Sequence, residues 1–350
     1  MAEPHSKPHQ IFVDRRPLWI VLFDRLRRYL FLGLFFGVFF VLLMTVEGPS
    51  DLSVEGYKVL CLFLLCVLLW STNLIPLSIT SLLAIAAVPL LGVMEASKAY
   101  SYFGNKAVFF ILGVFILSAS MIACGLSTRI STYVMKYWSN TPSQLITSIY
   151  CFAGISSCFM SEHAVAVILF PIIHEIVQSL NLKRENSIFG KGMYFAMAWG
   201  CIIGGAMTVL GGGRVPLAVE MLEKSTSGTQ SIGILQYTQL SFPLVLAMFV
   251  GGWIFLKLLF PPDIQDIEAA KKTLEHKSHL MGKVTFQEKG IALVMIMTLF
   301  SWFVFGDQLG IANIAIISIV LLFLLNLITW KMVEDHINWA IVMMYGGAIC

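Results

Sequence analysis

Charged residues are scarce in this chain. Only 12% of its 350 residues are Asp, Glu, Lys or Arg, whereas 58% are hydrophobic. A soluble domain has about a quarter of its residues charged, so the scarcity excludes an ordinary soluble domain and predicts an integral membrane protein. The formal net charge of +3 is too small to indicate a nucleic-acid partner.

The spacings that mark common catalytic and metal sites are also missing. The seven cysteines lie almost entirely in apolar runs without paired Cys-x-x-Cys spacing, which predicts neither a disulfide framework nor a zinc site. His174 and Glu175 begin a zinc-protease pattern, but Gln178 stands where its second histidine should be. The sequence has no Gly-x-Ser-x-Gly elbow and no phosphate-binding P-loop. We therefore expect no catalytic residues and no cofactor.

Long apolar runs are what the chain has instead. A helix needs about 20 apolar residues to cross a bilayer. Seven apolar runs predict spanning helices, although some of the runs are shorter than that length. They are residues 29–46, 57–70, 77–94, 107–124, 240–260, 291–305 and 311–328. The fold class predicted is an all-α polytopic membrane protein.

The first 28 residues are polar and basic, with six Lys or Arg against three Asp or Glu. No small-residue cleavage site follows the next apolar run, so we expect that run to remain as a spanning helix. The basic excess places the N-terminus in the cytoplasm. The expected location is the cell (plasma or inner) membrane, with several passes.

Two apolar segments are interrupted by residues that do not suit a lipid-facing helix. Residues 145–180 are too long for one helix and too short for two spans with a loop, and they contain Ser161-Glu162-His163. They predict a re-entrant hairpin at about residues 143–180. Residues 193–222 are broken by Gly-Gly-Gly-Arg-Val-Pro at 211–216. Neighbouring interrupted segments are typical of a transporter binding site.

The predicted hairpin tip carries two ionisable side chains. A charge at bilayer depth costs at least a few kcal/mol, so Glu162 should have a partner or face a cavity. Arg214 is the natural partner, near the bilayer midplane, and His163 is a second because imidazole changes charge near neutral pH. The structural alternative is an ion pair that only joins two broken helices.

Hydroxyl and glycine residues complete the candidate site. Ser157 and Ser161 are four residues apart, so on a helix their hydroxyls would lie on one face and offer oxygen ligands to Na⁺. Alternatively, each hydroxyl bonds the carbonyl four residues earlier. The backbone of Gly211, Gly212 and Gly213 could bind a carboxylate or sulfate together with a bidentate Arg214, or the glycines could serve only helix packing.

A short internal echo indicates a duplication. Residues 105–116 and 338–349 both start with Asn, continue as an apolar run and reach glycine eight residues on. Internal repeats are typical of secondary transporters. If residue 338 opens a second repeat, the counterpart of the hairpin would lie beyond Cys350, so we expect a chain truncated within that repeat and unable to transport alone.

Several motifs resemble one transporter family. Residues 70–80 read Trp-Ser-Thr-Asn-Leu-Ile-Pro-Leu-Ser-Ile-Thr. This is similar to the Trp-x-Thr-Glu-x-Ile-Pro-Leu-x-x-Thr of the divalent anion/sodium symporter family, the INDY-type dicarboxylate and sulfate carriers. The resemblance runs from about Val59 to the end, through Val-Pro-Leu-Leu-Gly-Val, Phe-Pro-Pro, Thr-Trp-Lys, Ile-Asn-Trp and Tyr-Gly-Gly at residues 88–93, 260–262, 329–331, 337–339 and 345–347.

The resemblance implies roles for particular residues. In that family a Ser-Asn-Thr at each of two hairpin tips contacts substrate carboxylates and helps to build a sodium site, and a Gly-Thr-Pro-Pro-Asn-like loop completes it. Here Ser161 and Gly211 match, Ser157 stands at an additional sodium-ligating serine, and Glu162 and His163 replace Asn and Thr. These departures leave both Na⁺ and H⁺ open as the coupling ion. The family also implies elevator-like alternating access in a homodimer with about eleven spanning helices and two hairpins.

The resulting prediction is an inverted-repeat ion-transporter architecture whose second repeat is incomplete. It comprises a cytoplasmic segment (1–28), a first transmembrane repeat (29–260), a polar linker (261–290) and the start of a second repeat (291–350). The predicted function is secondary active transport of a small divalent anion, a dicarboxylate or sulfate, coupled to Na⁺ or H⁺. The partners expected are the anion, the lipid bilayer and, at full length, a second copy. Alternatives are a membrane enzyme using Glu162 and His163 for acid–base chemistry, or a non-transporting half-transporter.

Overall fold

The computed structural model describes residues 18–45, 52–182 and 187–349, with the backbone alone for residues 18–25, 45 and 307. All regular structure in these ranges is helical, which confirms the all-α prediction. Most of the predicted cytoplasmic segment, residues 1–17, lies outside the described residues.

Sixteen helices follow one another along the described ranges, with a short 3₁₀ turn (Tyr102–Gly104) before the fifth. They are α1 (Leu18–Thr45), α2 (Val54–Thr72), α3 (Leu77–Leu90), α4 (Ala96–Ser101), α5 (Lys106–Ala123), α6 (Leu126–Trp138), α7 (Pro142–Ser157), α8 (Glu162–Ser179), α9 (Ile188–Gly205), α10 (Arg214–Ser225), α11 (Ile234–Leu259), α12 (Glu268–Leu280), α13 (Phe286–Leu309), α14 (Ile311–Leu324), α15 (Trp330–Glu334) and α16 (Trp339–Ala348).

Five helical segments within the described ranges are long and apolar enough to cross a membrane. Many of their large apolar side chains are exposed, as lipid-facing side chains would be. The protein is therefore a multi-pass membrane protein. The segments are Leu26–Met44, Val54–Thr72, Ala96–Ala123, Ile234–Leu259 and Phe286–Gly306.

The chain divides into two compact units, one up to Tyr100 and the other from Ser101 to Ile349. In the first unit, Leu65 and Leu69 of α2 and Val88 of α3 belong to one buried core. The gap between the apolar runs at residues 57–70 and 77–94 is a break between these two helices. Helix α2 ends where Asn73 adopts a left-handed conformation with φ of 48°, and Pro76 stands immediately before α3.

Small residues allow helices α7 and α9 of the second unit to approach each other closely. A Cβ atom at Gly204 would overlap the carbonyl group of Gly154, lying 2.6 Å from the carbonyl carbon. A Cβ atom at Gly200 would lie 2.7 Å from the Tyr150 carbonyl oxygen. Backbone contact of this kind is typical of membrane helix interfaces. It joins the first arm of the predicted hairpin to the helix that precedes the second interruption.

The two segments of the sequence echo form helices that pack together. Asn105 caps α5 by accepting a hydrogen bond from the Ala107 amide at 2.8 Å, and Asn338 caps α16 by accepting one from the Ile341 amide at 3.3 Å. Apolar side chains of both helices share one small core, formed by Val108, Ile111, Phe115, Ile341, Val342 and Tyr345. The echo therefore corresponds to two equivalent Asn-capped helix starts.

Gly204→Ala should destabilise the protein, because the new methyl group meets backbone that has no side-chain rotamer to change. We expect the free energy of unfolding to fall by about 1–3 kcal/mol. Gly251→Ala is the matched control, since among the described atoms none lies within 4 Å of its Cβ position in α11. The measurement is thermal unfolding of both purified variants in detergent. Equal melting temperatures would contradict the close approach.

Candidate functional site

The predicted hairpin tip is a true break between two helices. Helix α7 ends at Ser157 and α8 begins at Glu162. Its turn is closed by the Met160 amide, which donates to the Ser156 carbonyl at 2.9 Å. Ser161 then takes an extended conformation, with φ of −54° and ψ of 131°. The hydroxyl-rich sequence before Glu162 thus leaves the helix where the prediction placed the tip.

The second interruption faces this tip. Helix α9 ends at Gly205 and α10 begins at Arg214. The hydroxyl of Thr208 donates to the Cys158 carbonyl at 2.5 Å, and the Glu162 amide donates to the Gly211 carbonyl at 2.9 Å. These two bonds connect the tip to the loop from both sides of the hairpin break.

Side chains of helix α11 bind other carbonyl groups of the same loop. The Tyr237 hydroxyl donates to Ala206 at 3.0 Å, and the Ser241 hydroxyl donates to Met207 at 2.8 Å. Backbone groups that leave a helix in an apolar environment need such partners. The loop is therefore a built structure rather than a frayed helix end.

Glu162 and Arg214 form the predicted ion pair. Arg214 Nη2 lies 2.6 Å from Glu162 Oε2, which confirms the predicted contact. His163 Nδ1 is 3.9 Å from Glu162 Oε1. The Glu162 side chain is only 14% exposed, whereas the side chains of Arg214 and His163 are 55% and 53% exposed. The carboxylate therefore lies inside the site and the two cationic partners reach outward.

The two serines do not share a helix face, so that prediction is wrong. Ser157 is the last residue of α7 and Ser161 precedes α8, because the helix breaks between them. Both hydroxyls are buried, and neither has a hydrogen-bond partner within the described part of the chain. The alternative bond to the carbonyl four residues earlier is thus absent there. The weakly polar thiol of Cys201 is close enough to interact with Ser157.

The Ser161 hydroxyl is unusual for its position. A serine that precedes a helix normally accepts a hydrogen bond from an amide of the first turn, yet among the described residues Ser161 makes no such bond. A buried polar group without a partner costs about 1–3 kcal/mol. Two such hydroxyls lie beside one helix break, where their oxygen atoms are left without a hydrogen-bond partner among the described residues.

A cavity of about 380 Å³ opens beside the tip. Ser161 just before α8 and His163 in its first turn contribute to the wall, and Ser118 contributes from α5. The described lining does not include Glu162 or Arg214. The predicted substrate-binding set is therefore divided: Ser161 and His163 line the cavity, whereas Glu162 and Arg214 meet beside it.

The glycine run has three different environments. A Cβ atom at Gly211 would overlap the backbone carbonyl oxygens of Gly205 and Ser157, and one at Gly213 would overlap the Tyr345 ring. At Gly212 a Cβ atom would lie 3.7 Å from Glu162 Oε1, an ordinary contact. Gly211 and Gly213 thus serve close packing, and only Gly212 borders the ion pair. Anion binding by this backbone stays a prediction.

Another part of the cavity wall was not predicted from the sequence. Asp335, His336 and Asn338 line it together with Trp339. They follow α15 and lead into α16, far along the chain from the tip. The one available signal was the short polar run that includes Asp335 and His336, directly before an apolar helix. Nothing in that run shows which hairpin it faces, because the packing of both α15 and α16 on α5 brings it there.

Comparisons with known proteins show which family this chain resembles. A model of the sodium:sulfate symporter transmembrane region matches residues 28–350. The chain is similar to the sodium-dependent dicarboxylate transporter SdcS of Staphylococcus saprophyticus, with 25% identity over 344 residues that cover 91% of this chain. The proteins of that name from Staphylococcus aureus strains bovine RF122 and NCTC 8325 are 24% and 23% identical over 345 residues, again covering 91% of this chain. The chain spans 66% of the length of each of these relatives.

Gly211→Ala and Gly212→Ala should behave differently although the glycines are neighbours. The methyl group at 211 meets two backbone carbonyls and should displace the loop, lowering the free energy of unfolding by about 1–3 kcal/mol. The methyl group at 212 makes ordinary contact and should change it by less than about 0.5 kcal/mol. Thermal unfolding in detergent compares the two. A larger loss for the 212 variant would show that the loop is packed differently.

Proposed function

This chain belongs to the sodium:sulfate symporter transmembrane family, and we propose on that basis that it acts in secondary active transport of a small divalent anion, a dicarboxylate or sulfate. The dicarboxylate class is supported by the name of the SdcS relatives, and the sulfate class by the description of the family. The family and these relatives are transporters, so an enzyme that uses Glu162 and His163 for acid–base chemistry is set aside.

Sodium is the coupling ion that we propose. The carrying observation is the pair of buried hydroxyls of Ser157 and Ser161, which have no oxygen or nitrogen hydrogen-bond partner within the described structure. Hydroxyl and carbonyl oxygens suit a hard cation such as Na⁺, and carbonyls freed at helix breaks coordinate coupling ions in transporters. The Gly211 carbonyl accepts one hydrogen bond from Glu162, which leaves its second lone pair for the ion. The relatives are named sodium-dependent.

The anion is proposed to bind on the same side of the tip. A cavity of about 380 Å³ is at the lower end of the range for small-molecule sites, which suits a compact ion. Ser161 and His163 would contact the anion from the cavity wall, and Gly212 and Arg214 would contact it from the adjoining ion pair. Amide groups in the first turn of α8 add positive potential at this end of the helix.

Proton coupling is the second candidate, and Glu162 with His163 is the observation that favours it. The two ionisable groups lie 3.9 Å apart where the resemblance predicts Asn and Thr. Uptake of sulfate or succinate into liposomes that contain the full-length protein separates the two ions. With a sodium gradient and no pH gradient, we expect accumulation. Accumulation only with a pH gradient, in sodium-free buffer, would assign the proton instead.

A cytoplasmic N-terminus and a homodimeric assembly are part of the proposal. Basic residues Lys7, Arg15 and Arg16 near the N-terminus support the orientation through the positive-inside rule. A protease-cleavable tag at the N-terminus should resist protease added outside intact cells. Cross-linking of the protein in the membrane should give a species of twice the chain mass. Cleavage of the tag from outside would refute the cytoplasmic N-terminus. A cross-linked sample with only the monomer mass would refute the homodimer.

Ser161→Ala should weaken sodium coupling. Loss of one hydroxyl ligand is expected to raise the Na⁺ concentration for half-maximal uptake about tenfold, because a ligand interaction of about 1.4 kcal/mol corresponds to that factor. The control is Ser179→Ala at the other end of α8, where the hydroxyl donates only to the Ile176 carbonyl. Sodium titration of liposome uptake is the measurement. Equal sodium dependence of both variants would argue against a site at the tip.

A further inference from the structure

Arg214 retains most of its hydrogen-bonding capacity. A guanidinium group has five N–H donors in a planar fork that suits carboxylates and sulfate. Among the described residues, Arg214 makes a side-chain hydrogen bond only through Nη2, to Glu162 Oε2 at 2.6 Å. The pair is therefore single and not bidentate, and more than half of the Arg214 side chain is exposed. The remaining donors are available to an anion from outside.

The ion pair is not what connects the hairpin to the loop. The Glu162 amide donates to the Gly211 carbonyl at 2.9 Å, and Thr208 donates to the Cys158 carbonyl. Both bonds are independent of the Glu162 carboxylate. The helix start is fixed as well, because the Val165 amide donates to the Ser161 carbonyl at 3.1 Å. The carboxylate can therefore leave Arg214 by side-chain rotation while the backbone stays in place.

The pair can be reached over Gly212. The Cβ position of Gly212 lies 3.7 Å from Glu162 Oε1 and 3.9 Å from Arg214 Nε. Since glycine has no side chain, no group at residue 212 covers these two atoms. His163 Nδ1 lies 3.9 Å from Oε1, the carboxylate oxygen that does not bind Arg214, and offers Glu162 a second partner when it moves.

We infer that Glu162 is a tethered competitor for Arg214. The Glu162 carboxylate stays hydrogen-bonded to the Arg214 guanidinium until a carboxylate or sulfate from solution displaces it. That anion then accepts the hydrogen bond from Arg214 instead. The exchange replaces one anion with another of the same chemistry and involves no covalent step. The inference rests on the proposed function, since it assigns Arg214 to the anion and Glu162 to the control of its access.

The competition lowers the apparent affinity for the substrate. The site can bind the anion only while Glu162 is displaced from Arg214. Its apparent affinity is therefore the intrinsic affinity multiplied by the fraction of molecules in which Arg214 is free. Glu162→Gln removes the negative charge and keeps the shape of the side chain. The variant should therefore bind the anion more tightly than the wild type, whereas loss of a merely structural ion pair would leave the affinity unchanged or weaken it.

The experiment titrates succinate and, separately, sulfate into the purified full-length protein in detergent with saturating Na⁺, using isothermal titration calorimetry. We expect Glu162→Gln to lower the Kd for both anions about three- to tenfold. The matched control is Glu175→Gln near the other end of α8, which breaks an ion pair with Lys277 of 2.8 Å and should leave the Kd unchanged.

The role of Arg214 is tested by a double variant. If Glu162 acts through Arg214, the gain in affinity should vanish when Glu162→Gln is combined with Arg214→Gln, relative to Arg214→Gln alone. Glu162→Asp, whose side chain is shorter by one methylene group, serves if the Gln variant does not fold. It should also bind more tightly, because its carboxylate no longer reaches Arg214.

The outcomes separate this inference from the proposed function. If the wild type binds succinate or sulfate and Glu162→Gln, melting like the wild type, binds no more tightly, the competition is refuted and the transport proposal stands. If the gain persists without Arg214, the assignment of Arg214 is refuted. If neither the wild type nor Glu162→Gln binds either anion, both proposals fail. Binding by the variant alone would be the extreme case of the competition.

Discussion

A backbone N–H or C=O that leaves a helix where water does not reach must be bound by another protein group, and this constraint shapes the second unit. At the hairpin tip and at the loop before α10, the freed groups bind one another and the side chains of neighbouring helices. Thr208 and the amide of Glu162 connect the tip to the loop, and Tyr237 and Ser241 bind the loop from α11. Each interruption thus depends on the other, because isolated breaks would leave costly unpaired groups.

This mutual dependence explains which features the sequence predicts. The breaks themselves can be predicted from the sequence. Gly-Gly-Gly-Arg-Val-Pro cannot continue a lipid-facing helix, and a carboxylate at bilayer depth needs a partner. Glu162 and Arg214 could be paired because Arg214 is the one arginine in the second broken segment. Both predictions rest on residues that cost free energy at bilayer depth unless the chain adopts one particular arrangement: a helix break at the glycines, or an ion pair for the carboxylate.

The features that the sequence did not predict involve residues that fit several different structures equally well. A four-residue spacing places two side chains on one helix face only while the helix continues. Helix α7 ends at Ser157, so the spacing of the two serines does not have that meaning here. Asp335 and His336 are ordinary polar residues before a helix, and their place in the cavity wall follows from the packing of both α15 and α16 on α5. Sequence spacing carries no information about contacts between distant helices of this kind.

Glu162 and His163 stand where the resemblance implies neutral Asn and Thr, so the electrostatics of this tip differ from those that the resemblance implies. An anion site that contains its own carboxylate is repulsive unless a cation neutralises the charge, and Arg214 does so at 2.6 Å. The pair contributes no net charge, so the positive potential that attracts an anion would come from breaking the pair, from bound sodium and from the amide groups at the start of α8. Sodium at Ser157 and Ser161 would add positive charge next to Glu162, where it would attract both the tethered carboxylate and an incoming anion. Cation and anion binding at this tip would then be coupled through the same carboxylate.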